Sequence, residues 1–96
     1  MCQKATGGFF GAYVTGRNVS WTRGAPSYFL SSNKVKRGFC GTCGSSLFWD
    51  PVQRDFIAVA MGALDSASGT HLAKHIFTAE KGDYYDIADG LPQNLR

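Results

Sequence analysis

The run Cys40-Gly41-Thr42-Cys43-Gly44 constrains this chain more than any other feature. Two thiolates with two residues between them, one glycine inside the loop and another after it, form a tight knuckle that presents both sulfurs to one tetrahedral zinc ion. A dithiol redox pair is the competing use of the same spacing, but such pairs open a helix after a strand in a βαβ setting. Here Ser45-Ser46-Leu47-Phe48-Trp49 reads as a strand, which makes the cysteine loop the tip of a hairpin. Inert, packed thiols are the third reading. A structural zinc takes four ligands and one knuckle supplies two. The chain has three cysteines, so Cys2 is the one remaining thiol.

The rest of the chain suits a small β domain. Twelve glycines fall between short apolar or aromatic runs, the pattern of strands separated by turns. Strands are expected over residues 9–15, after the Thr6-Gly7-Gly8 break, and over 19–22, 27–31, 35–39 and 45–49. A further strand over 55–61 is apolar on both faces and is expected to be the most buried. Gly16-Arg17-Asn18 reads as a turn. Over residues 65–81, Leu72, His75, Ile76 and Ala79 have helical spacing while 75–78 also suits a strand, and periodicity alone does not decide. From Gly82 onward, Tyr84, Tyr85, Asp86, Asp89, Gly90 and Pro92 give a loop with aromatic anchors. No repeat, linker or second domain is evident, so residues 1–96 read as one domain, mainly β with little helix.

With 96 residues, such a domain buries a limited fraction of its surface, so a metal would help hold it together. A hydrophobic content of 44% supports a packed core and excludes a disordered chain. The net charge is +3 and the basic residues are scattered, apart from Lys34, Lys36 and Arg37. This leaves no continuous phosphate-binding stripe, and nucleic acid is not an expected partner. The basic trio reads as a solvated loop or strand edge, with contact to nucleic acid or an anionic ligand as the alternative. No signal-peptide core and no membrane-length apolar run is present, so the cytoplasm is the expected setting. His71 and His75 lie four apart, but the glutamate of a metalloprotease helix is missing, and His75 reads as a satisfied core or edge histidine.

Four landmarks in order, Cys2-Gln3-Lys4-Ala5-Thr6-Gly7-Gly8, Gly38-Phe39-Cys40-Gly41-Thr42-Cys43-Gly44-Ser45-Ser46-Leu47, His75-Ile76-Phe77-Thr78-Ala79-Glu80-Lys81 and Asp89-Gly90-Leu91-Pro92, resemble the glutathione-dependent formaldehyde-activating enzyme and centromere protein V family. The resemblance implies a β-tent, antiparallel sheets pinned by zinc. It implies that Cys40 and Cys43 are half of a structural zinc site whose other half is an N-terminal Cys-x-Cys. It also implies that Cys2 is the last thiolate of a Cys-x-Cys-x-x-Cys catalytic zinc element. The earlier cysteines of both elements have no counterpart here, so the chain is expected to be an N-terminally incomplete member. The implied activity is a carbon–sulfur lyase reaction on glutathione adducts of formaldehyde or a similar small electrophile. With one catalytic thiolate, this chain is expected to be inactive by itself. A non-catalytic zinc-stabilised scaffold is the rival reading, and association of copies through an exposed sheet edge is a further expectation.

Overall fold

The computed structural model describes residues 2–8 and 11–96, and the side chain of Cys2 lies outside the described set. The contacts gather into two units. One comprises residues 12–67 and contains a single antiparallel sheet. Its strands are β1 (Tyr13–Arg17), β2 (Ser27–Leu30), β3 (Val35–Phe39), β4 (Ser46–Pro51) and β5 (Phe56–Ala60), in spatial order β1-β5-β4-β3-β2. The expectation of a mainly β chain with little helix is met.

Sheet position follows from which hairpins close. β3 and β4 are joined by the six residues of the cysteine loop, and β4 and β5 by the short turn at residues 52–55. β4 is therefore central, with β3 on one side and β5 on the other. It carries two buried side chains, Phe48, at 4% exposure, and Pro51. This corrects the expectation for residues 55–61, because β5 is half-buried throughout. Apolar residues on both faces mark a strand interior to a sheet, and they do not rank one interior strand above another.

Directly paired residues share a face, so Val14, Val59, Phe48, Gly38 and Tyr28 form one row across all five strands. The Phe48 ring lies flat over Gly38. A β-carbon at residue 38 would overlap three of its ring atoms, so glycine is required there. Trp21 stacks on the same ring at 5.1 Å and Tyr28 meets it edge-on at 5.5 Å.

Two further expectations are corrected. The first strand runs over Tyr13–Arg17 rather than 9–15, and Phe9 and Phe10 lie outside the described residues. Residues 19–22 form no strand, and Trp21 instead folds onto the sheet to cover Phe48.

The other unit comprises residues 1–11 and 68–96. It holds a short helix, α1 (Cys2–Thr6), and a 3-10 turn at Thr78–Glu80. Most of 65–81 is neither of the two structures that its periodicity offered. His75 pairs with Gln93 in an isolated parallel bridge, supported by His75 N–H to Pro92 O (2.9 Å) and Asn94 N–H to His75 O (2.8 Å). Lys81 donates to the carbonyls of Gly82 (3.1 Å) and Tyr85 (2.7 Å), fixing the turn between them. Tyr84 donates its hydroxyl to Gly8 O at 3.0 Å, tying the tail to the segment after α1.

Candidate metal centre

β3 and β4 converge on residues 40–45 with a register shift at Gly38/Phe39, after which Phe39 faces Ser46. Cys40 N–H donates to Ser45 O (2.9 Å) and Gly44 N–H donates to Cys40 O (2.8 Å). Gly44 adopts φ +80°, a left-handed conformation that a side chain resists, and this lets the loop return into β4. Cys40 is half-buried and Cys43 is exposed, and both thiols are free.

The loop backbone curls its amides around the first sulfur. The Cys40 thiol is held below its ordinary value chiefly by the Cys43 backbone N–H, then by that of Thr42, with the Cys43 side chain adding to them. Amide donors aimed at sulfur favour thiolate over thiol. Cys43 Sγ lies 3.0 Å from Ser45 Oγ. The cysteine loop is the tip of a hairpin between antiparallel strands, as its flanking sequence leads one to expect. The donor set and its amide cradle fit two of the four corners of a tetrahedral zinc site.

The other candidates do not join this pair. Among the described residues no group of three or more His, Cys, Asp or Glu side chains could hold a metal ion. The segment carrying His71 and His75 is not helical, so the shared helical face that a metal would need does not arise. His75 Nε2 lies 2.7 Å from Asp89 Oδ2 in a partly buried setting, which agrees with a satisfied edge histidine. Asp89 is held below its ordinary value, first by the hydrogen bond from His75 and then by the N–H of Leu91. No helix of the described residues is long and apolar enough to cross a membrane.

Sequence reasoning missed a second feature of the sheet unit. On the Phe48 face lies an open depression of about 420 Å³, lined by Trp21, Tyr28, Lys36, Phe48, Asp50 and Arg54 among others. Lys36 sits 4.2 Å from the Tyr28 ring centre and 3.7 Å from Asp50. Only the alternation of Tyr28, Lys36 and Phe48 onto one face could have announced it, and that requires the strand pairing.

An antiparallel β protein with a two-thiol hairpin knuckle is the class that this fold and site define. The family model described as glutathione-dependent formaldehyde-activating enzyme matches residues 1–80, and the chain belongs to that family. No curated protein and no solved structure matches it.

Proposed function

We propose that this chain is a zinc-bearing member of the carbon–sulfur lyase type, handling glutathione adducts of formaldehyde or a similar small electrophile. The observation that carries the reading is the Cys40/Cys43 knuckle, with its amides turned onto the Cys40 sulfur, inside the matched region. Cys40 and Cys43 would hold a structural zinc, with further ligands from outside the described metal-binding side chains. Cys2, at the start of α1, is the residue proposed for a second, catalytic ion. A bound zinc ion supplies Lewis acidity that lowers the pKa of a thiol. The reaction adds the glutathione sulfur to the carbonyl carbon, and the thiol proton passes to the carbonyl oxygen. The part of this chain is to fix the fold around the knuckle and to bind the adduct. A cytoplasmic setting, which keeps thiols reduced, suits such a site.

The rival reading is a non-catalytic zinc-stabilised scaffold, possessing the knuckle alone. It is favoured by the thiol count, because Cys2 is the one cysteine beyond the Cys40/Cys43 pair. Exchange spectroscopy with ¹³C-formaldehyde and glutathione separates the two. The zinc-loaded chain is expected to bind the adduct saturably. Turnover should rise little above the uncatalysed rate, since Cys2 is the one thiol left beyond the pair. Absence of any adduct binding by the zinc-loaded chain would leave the scaffold. We further propose that two copies associate along the free edge of β2, where Tyr28, Phe29 and Leu30 are exposed, which sedimentation equilibrium tests.

A further inference from the structure

Side chains alternate along β3, so Val35, Arg37 and Phe39 share the face opposite Lys36 and Gly38. The direct cross-strand neighbours of Arg37 are Phe29 on β2 and Trp49 on β4. Arg37 thus stands between two aromatic residues in the register of the sheet. Its Nε is buried and has no hydrogen-bond partner among the described residues. The other cations of this sheet are accommodated differently, with Lys36 3.7 Å from Asp50 and Arg17 2.9 Å from Asp55. Among the described residues no carboxylate pairs with Arg37. Buried polar atoms in native proteins are paired almost without exception, and a cation held among apolar neighbours calls for a counter-charge.

We propose that Arg37, flanked by Phe29 and Trp49, is a carboxylate-binding subsite that receives a carboxylate of the thiol-peptide substrate. The identity of the ligand rests on the glutathione reading above, whereas the anion-binding geometry stands without it. A guanidinium offers Nε–H and an Nη–H in parallel to the two oxygens of one carboxylate, so the orphaned Nε defines a planar, bidentate ligand rather than a point charge. The aromatic neighbours keep water from the pair and strengthen it. Phe29, the β2 neighbour of Arg37, is itself 54% exposed. Glutathione presents carboxylates at both ends, away from its sulfur, so one end can be held without engaging the thiol.

The Arg37 Nε–Hε resonance of the full chain reads this directly. Titration with S-methylglutathione, which has the carboxylates but no free thiol, is expected to move that resonance saturably, and the dimethyl ester of the same ligand is not. Arg37→Met should weaken binding about tenfold or more, and Arg37→Lys should weaken it too because it lacks the fork. Without ligand, Arg37→Met should be at least as stable as the parent, since it removes an unpaired buried donor. A resonance that neither S-methylglutathione nor succinate moves would overturn the proposal, as would equal binding by the parent and Arg37→Met. So would a resonance that moves with protein concentration alone, which would assign the guanidinium to a second copy. A response to succinate but not to S-methylglutathione would uphold the carboxylate subsite and remove the glutathione reading.

Discussion

Replacing Gly38 by alanine tests the packing that holds the cysteine hairpin in place. In a strand interior this change ordinarily gains about 0.5–1 kcal/mol, because glycine loses more conformational freedom on folding. Here the added β-carbon would fall inside the Phe48 ring, with even the farthest of the three ring atoms at 2.6 Å, where relaxed carbon contacts lie at about 3.5–4.0 Å. The ring must move by about 1 Å or more to restore that spacing. Phe48 is fixed from above by Trp21 and from the side by Tyr28, so the movement strains or breaks aromatic contacts worth about 0.5–1.5 kcal/mol each. Overpacking a closed site costs about 1–3 kcal/mol. The net expectation is a loss of about 2–3 kcal/mol, or roughly 8–24 °C in Tm for a domain of this size. Both tryptophans, Trp21 and Trp49, lie in the sheet unit, so urea unfolding followed by their fluorescence reports on it. Phe48→Leu added to Gly38→Ala should cost less than the two changes summed, because the smaller side chain relieves the overlap. Gly38→Ala unfolding at the same urea concentration as the parent, or a higher one, would refute this account of the core.

Asp89→Asn should flatten the acid limb of stability. A carboxyl with a depressed folded-state pKa contributes stability that is present above its unfolded value, about 3.9, and is lost as pH falls through the folded value. The parent should therefore lose amide protection at Leu91 and Asn94 below about pH 4, whereas the variant should already lack it at neutral pH. Phe77→Gly should be neutral or stabilise by up to about 1 kcal/mol, since Phe77 holds φ +56° while remaining 57% exposed. Thermal unfolding checks this, and a clear loss would show that the exposed ring contributes packing.

Much of the sheet was legible because its determinants are local. β2, β4 and β5 are short apolar or aromatic runs that follow Pro26, Ser45 and Asp55, and β3 leads into the cysteine loop, which has its own turn chemistry. What was not legible depends on pairing. Gly16 and Arg17 have turn composition, yet they continue β1, and Gly16 lies where Val19 and Val59 would each approach a β-carbon to 3.2 Å. Val19 and Trp21 have strand propensity, but the tryptophan stacks on Phe48, a contact that no window around residue 21 contains. The bridge from His75 to Gln93 joins segments that propensity treats separately. Arg37 falls in a basic run with Lys34 and Lys36, whose composition suits solvent, although period-two alternation places it with Val35 and Phe39. The knuckle was visible as a motif, while the amides that curl onto the Cys40 sulfur follow from the loop conformation.

Zinc K-edge absorption on the zinc-loaded chain shows whether the Cys40/Cys43 knuckle holds the metal. At least two sulfur neighbours are expected at about 2.3 Å, with both lost together with the bound zinc in the Cys40→Ser/Cys43→Ser variant. An undiminished sulfur shell in that variant, or no zinc retained by the parent after dialysis, would contradict it.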